Sequence, residues 1–193
     1  MDNGNIQELI DYLSWLYDSG HKKNFNQKEY LHACGTPACV AGYACALKQN
    51  KEEWNKLSSK DIISKQINLE TTKTIYNTAR NWLGIDEDQA DNLFDGGVLG
   101  ADAYEAVEVL KNLLSTGEVK WSSRTIHADD VRTKCWEFVQ TYCRDSYPED
   151  HEIEAIDNLE NAFLDGSLPV SILLDGIEGV EEYETKVNEL IYG

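Results

Sequence analysis

The stretch Cys34-Gly35-Thr36-Pro37-Ala38-Cys39-Val40-Ala41-Gly42-Tyr43-Ala44-Cys45-Ala46-Leu47 constrains this chain more than any other. Ala38, Ala41, Gly42, Cys45 and Ala46 recur at spacings of three and four, which on a helix fall on one face. A face with so little side-chain volume lets another backbone come close, and a helix without charge belongs in a core. Thr36 reads as the N-cap, its hydroxyl oxygen taking a backbone N–H. Pro37 reads as the first helical residue, where its missing donor costs nothing. The expectation is a buried helix entered at Thr36 and Pro37, its small face against a neighbouring main chain.

A chain of 193 residues can bury one sizeable core or two small ones. Apolar residues make up 41% and aromatic residues 10% of it, enough to fold and too much for a disordered tail. The start, Met1-Asp2-Asn3-Gly4-Asn5, lacks the basic residues and apolar run of a signal peptide, and no run approaches the length of a bilayer span. The reading is a cytoplasmic protein without a membrane partner. In a reducing compartment the odd set Cys34, Cys39, Cys45, Cys135 and Cys143 reads as small buried hydrophobes rather than a disulfide framework.

Helical periodicity dominates the rest. Ile6, Leu9, Ile10, Leu13 and Leu16 mark a helix over 5–19 ended by Gly20, and Trp54, Leu57, Ile62 and Ile63 anchor a charged segment over 48–65. Residues 71–83 form a helix closed by Gly84, and Asp86 caps the next, with Glu87 and Asp88 in its positive first turn. Residues 101–114 form a clean amphipathic helix before Gly117, and Val119 and Trp121 a short extended piece. Past Ser122-Ser123-Arg124, Val131, Cys135, Phe138, Val139 and Tyr142 share one face. Ile153, Ile156, Leu159, Ala162 and Phe163 share another, and a last helix runs near 180–191. The fold class is all-α: a compact helical core domain over 1–121 and an acidic helical extension over 122–193 packed on it.

Charge separates the two parts. Residues 1–121 hold 18 acids against 12 bases, whereas residues 122–193 hold 17 against 5, so the second part carries −12 of the total −18. From Asp145 to Thr185 there are thirteen carboxylates and no Lys or Arg. Such a surface repels nucleic acid and anionic lipid and attracts basic protein surfaces. Asp150, Glu152, Glu154, Asp157, Glu160, Glu178, Glu181, Glu182 and Glu184 are the candidate partner-binding residues, a phosphate-like array for a basic, nucleic-acid-binding protein.

The run Cys34-Gly35-Thr36-Pro37-Ala38-Cys39-Val40-Ala41-Gly42 resembles the signature of a family of small bacterial and phage proteins, C-G-T-x-A-C-hydrophobic-A-G. In that family an L-G-hydrophobic segment, Q-A-x-x-L-F and T-G-x-V-x-W follow in order. Here Leu83-Gly84-Ile85, Gln89-Ala90-Asp91-Asn92-Leu93-Phe94 and Thr116-Gly117-Glu118-Val119-Lys120-Trp121 occupy those places. The resemblance covers roughly residues 5–121. It implies a compact helical domain and a bacterial or phage setting, with no catalytic residues to carry over, since the family has no assigned activity.

Catalytic candidates are few. His32, Cys34 and Cys39, with His21 as a fourth donor, could hold zinc, but the helix start already accounts for Gly35, Thr36 and Pro37 without a metal. Placed at the third helical position, Cys39 would have its thiol pKa lowered by the helix dipole, with His32 as base, the minimum for a cysteine nucleophile. Asp86, Asp88 and Asp91 lack the glycine and the distal glutamate of a calcium loop. No P-loop, dinucleotide fingerprint, H-E-x-x-H or G-x-S-x-G occurs. The expectation is therefore a non-catalytic protein without a cofactor that binds a basic host protein such as a defence nuclease. The alternatives are a metal- or thiol-dependent enzyme centred on His32, Cys34 and Cys39, and a virion or assembly component.

Overall fold

Apolar residues at helical spacing set the order of elements. The computed structural model describes residues 1–50, 66–67, 71–143 and 152–192. Trp54, Leu57, Ile62 and Ile63 lie outside the described residues. The helices are α1 (Asn3–Asp18), α2 (Val40–Asn50), α3 (Thr72–Leu83), α4 (Glu87–Leu93), α5 (Ala103–Thr116), α6 (Ala128–Tyr142), α7 (Glu152–Leu164), α8 (Ser171–Asp175) and α9 (Glu184–Tyr192). Two-residue strands β1 (Val98–Leu99) and β2 (Ile126–His127) pair antiparallel, Val98 with His127 and Leu99 with Ile126. The fold is mainly helical as expected, and this ladder is the addition. Two residues per strand are too few for an alternating pattern to be read. Val119–Trp121 is irregular rather than a strand, held by the Trp121 indole N–H donating to the Asn92 carbonyl at 2.9 Å.

The chain divides into two compact units, Met1–Gly96 with Ala101–Ser122, and Gly97–Gly100 with Ser123–Gly193. In the first, α1 lies along α5 and α2 along α3. Leu9, Leu13 and Leu16 of α1, Tyr43 and Leu47 of α2, Leu83 of α3, and Leu110 and Leu113 of α5 are fully buried together. Local chemistry fixes the helix ends. Asp2 caps α1 by accepting the Asn5 N–H at 3.0 Å, Thr71 caps α3, and Asp102 caps α5. Asp86 caps α4 as expected and Gln89 reaches back to the Asp86 N–H, completing a capping box.

The entry to α2 is not the one the sequence suggests. Thr36 and Pro37 lie before the helix, which begins at Val40. Pro37 instead pairs with Leu31 in an antiparallel bridge, the His32 N–H donates to the Thr36 carbonyl at 2.9 Å, and the Ala38 N–H to the Tyr30 carbonyl at 3.2 Å. Residues 30–38 are thus a tight hairpin turned at Gly35, whose φ of 81° suits glycine. The fixed φ of proline fits an extended bridge as well as a first helical turn, and the non-local bonds to residues 30–32 decide between them. The close approach expected at the small face is present: a Cβ on Gly42 would lie 2.2 Å from the Tyr30 carbonyl oxygen.

The second unit buries Val131, Cys135 and Val139 of α6 against Ala155, Leu159 and Phe163 of α7, with Ile172, Val187 and Ile191 completing the cluster. The α6 stripe is as the periodicity predicts. On α7 the stripe holds from Ile156 onward, but Ile153 is 66% exposed. Periodicity places a residue on a face without saying how far along that face the core extends.

Candidate functional site

His32 and Cys34 sit on the hairpin that feeds α2 and Cys39 sits between that hairpin and the helix, and the fold gives each a separate environment. His32 Nε2 donates to the Asn24 carbonyl at 2.9 Å, an acceptor shared with the Tyr43 hydroxyl, also at 2.9 Å. A nitrogen that carries this proton is neither a base for a thiol nor a metal ligand. Cys34 is exposed at the tip, its Sγ 3.1 Å from Thr36 Oγ1. That hydroxyl, and the Thr36 backbone after it, hold the Cys34 thiol below its ordinary pKa. Cys39 is buried. Its thiol is pushed up to about 11 by burial, against the pull of the Gly42 and Ala41 backbone N–H groups. The expected activation of Cys39 by the helix dipole is therefore corrected: loss of water outweighs the helix terminus. His21 packs against Trp15 with the rings tilted and their centroids 5.4 Å apart. Among the described residues no group of three or more His, Cys, Asp or Glu side chains is gathered to hold a metal ion.

A residue that sequence reasoning missed organises this region. Gln27 is 3% exposed. Its Oε1 accepts the Val40 N–H at 3.4 Å, and its Nε2 donates to the carbonyls of Leu93 at 3.0 Å and Asp95 at 3.4 Å. One amide thus caps the start of α2 and the end of α4. A glutamine in a polar loop has no periodic signal, and both partners are distant in sequence.

The acidic array is displayed on the second unit. Glu154 on α7, Glu178 in the 3₁₀ turn Gly176–Gly179, Glu181 and Glu182 in the turn before α9, and Glu184 at the first residue of α9 are all exposed. Glu184 lies where the helix dipole favours a negative charge, and it raises the pKa of Tyr142, second to burial. Asp150 and the Glu152 side chain lie outside the described residues.

Asp157 and Glu160 have an internal partner. Arg132 Nη1 donates to Asp157 Oδ1 at 2.7 Å and Glu160 Oε2 at 2.6 Å, and these bonds hold the guanidinium pKa above its ordinary value. Cys135, one turn along α6, has its thiol raised to about 12, chiefly by burial and then by Glu160. No family model, no curated protein and no solved structure matches this chain. Its own residues are then the guide to what it does. Arg132 sets one carboxylate against another at the α6–α7 contact and leaves the trio net negative, while Lys134 is held by Glu137 at 2.8 Å. Both bases on α6 are thus taken by carboxylates, and the array keeps its sign.

Proposed function

We propose that this chain is a non-catalytic interaction protein whose acidic second unit binds a basic, nucleic-acid-binding host protein, such as a defence nuclease, by occupying its positively charged surface. The observation that carries this reading is the exposure of Glu154, Glu178, Glu181, Glu182 and Glu184 in a stretch without a base. Exposed carboxylates spaced along helices and turns offer a basic groove what phosphates offer it. Association of this kind is fast, and weakens as salt shortens the reach of charge to about 8–10 Å. The signature around Cys34–Gly42 supports a phage or mobile-element origin. The reading of Cys39 as a nucleophile loses support from its burial.

The test is capture of basic proteins from host lysate at low and at high salt, with the wild type and with Glu154, Glu181, Glu182 and Glu184 all changed to Lys. All four side chains are exposed, so the fold should be retained. Capture at low salt, lost both on adding salt and on charge reversal, is the expected result. Capture that survives the reversal would sink the reading. Self-association without a basic partner would favour an assembly component instead.

A further inference from the structure

Between α6 and α7 the second unit has a groove of about 360 Å³, lined by Arg132, Thr133, Trp136, Ile153 and Ile156. Trp136 is 52% and Ile153 66% exposed on it. Two large apolar side chains facing water side by side mark an interaction surface, and a Trp is the residue most enriched where binding energy concentrates. Their occupant is chosen by the surrounding charge. α6 and α7 together carry seven Asp or Glu against Arg132 and Lys134. Both bases are already matched, Arg132 by two carboxylates and Lys134 by one.

A second copy of this chain would bring the same net-negative α6–α7 face to the groove, and a membrane or nucleic acid would bring phosphates; each is repelled. A basic polypeptide is attracted. The indole face of Trp136 can also take a cation, since an ammonium or guanidinium over an aromatic ring is favourable, more so once water is excluded. We propose that this groove docks a basic amphipathic segment of the partner. One large apolar side chain of that segment enters between Trp136 and Ile153, and flanking Lys or Arg residues meet the net negative charge that Asp157 and Glu160 keep beside Arg132. The proposal rests on the reading that the acidic unit binds a basic protein. It adds that recognition is not by charge alone: the carboxylates supply the salt-sensitive part and the groove a part that salt leaves in place.

Two Lys/Arg-rich helical peptides of equal charge separate the two parts, one with a Leu/Phe stripe and one with that stripe replaced by Gln. Each is titrated calorimetrically into the wild type and into the double variant Trp136→Ser, Ile153→Ser, with circular dichroism confirming the helices. The apolar peptide should bind the wild type at least about tenfold more tightly, and this gap should close to within about twofold in the variant. The Gln peptide should lose no more than about twofold in the variant, the part a cation on the Trp136 indole supplies, and should weaken with salt on both proteins. Thr133→Arg, an exposed substitution at the groove, should close the gap independently. A wild type that does not distinguish the peptides, or a gap that persists in both variants, overturns the groove and leaves the acidic-surface reading standing. Failure of both peptides at low salt overturns the two together. A wild-type dimer in sedimentation that Ile153→Ser dissociates would assign the groove to a second copy and overturn the proposal.

Discussion

Cysteine 39 shows how burial sets chemistry at a single residue. The same sulfur at an exposed helix start would be acidified by the N–H groups above it, yet here water loss wins and the thiol is held protonated. Iodoacetamide at neutral pH should therefore label Cys34 in the native protein and leave Cys39, Cys45 and Cys135 unlabelled until denaturant is added, as peptide mass mapping would show. Rapid native labelling of Cys39 would mean that the hairpin opens. The same shifts make stability fall in alkali. Cys39 moves from an ordinary 9.0 to about 11, and Cys45, whose Sγ donates to the Ile75 carbonyl, to about 12, both chiefly through burial. In this window the unfolded chain releases thiol protons that the folded one keeps. The folded state binds more protons, and the slope of unfolding free energy with pH is negative. The contribution is fully present below pH 9 and is lost as pH rises toward 11 and 12. Tyr12 and Tyr43, raised by burial, act in the same direction at still higher pH. Urea midpoints across this range should drop, and Cys39→Ala should make the drop shallower.

At the scale of elements, the entry to α2 is where local preference and tertiary structure disagree. Gly42 tests the contact directly. Alanine is the better helix former by about 1 kcal/mol, so a free helix would gain from Gly42→Ala. Its Cβ would meet the Tyr30 carbonyl oxygen at 2.2 Å, a backbone atom that cannot rotate away. Overpacking wins, and the substitution should destabilise by about 1–3 kcal/mol in urea unfolding. A neutral or stabilised Gly42→Ala would show that the hairpin is not seated on α2. Gln27→Leu should cost a similar amount, about 1–3 kcal/mol, because it takes the side-chain amide away from the buried backbone groups of Val40 and Leu93 and the part-buried carbonyl of Asp95. α1, α3, α4, α5, α6 and most of α7 are legible from apolar spacing, and their caps at Asp86, Gly84 and Gly117 from chemistry within one turn. The Thr36–Pro37 entry is misread from sequence because its deciding bonds come from Tyr30 and His32 across the hairpin. Gln27 is invisible because nothing local distinguishes it. In the acidic array the charge is legible, but not the pairing of Asp157 and Glu160 with Arg132, which depends on how α6 and α7 pack.

For the molecule as a whole, each unit has a hydrophobic core of its own, while the charge is concentrated in one of them. Residues 122–193 hold −12, and like charges at this density oppose compaction. Surface ion pairs such as Arg132 with the exposed Asp157 and the half-buried Glu160 are weakened by salt too, but pairs of that kind are worth little. Self-repulsion therefore outweighs them, and screening should stabilise the second unit. Raising NaCl from about 20 mM to about 0.5 M shortens the screening length from roughly 20 Å to under 5 Å, which silences all but adjacent carboxylates. Calorimetric melts should show an upward shift for the transition that contains α6 and α7. That transition is identified by Leu159→Ala, a fully buried residue whose truncation costs about 2–5 kcal/mol and lowers it selectively. Leu9→Ala marks the first unit in the same way. The salt response of that transition should be the smaller, since residues 1–121 carry only −6. A second-unit transition indifferent to salt would mean that its carboxylates do not repel one another in the folded state. A basic partner would then gain nothing by relieving them, and the electrostatic case for such a partner would have to rest on its own positive charge alone.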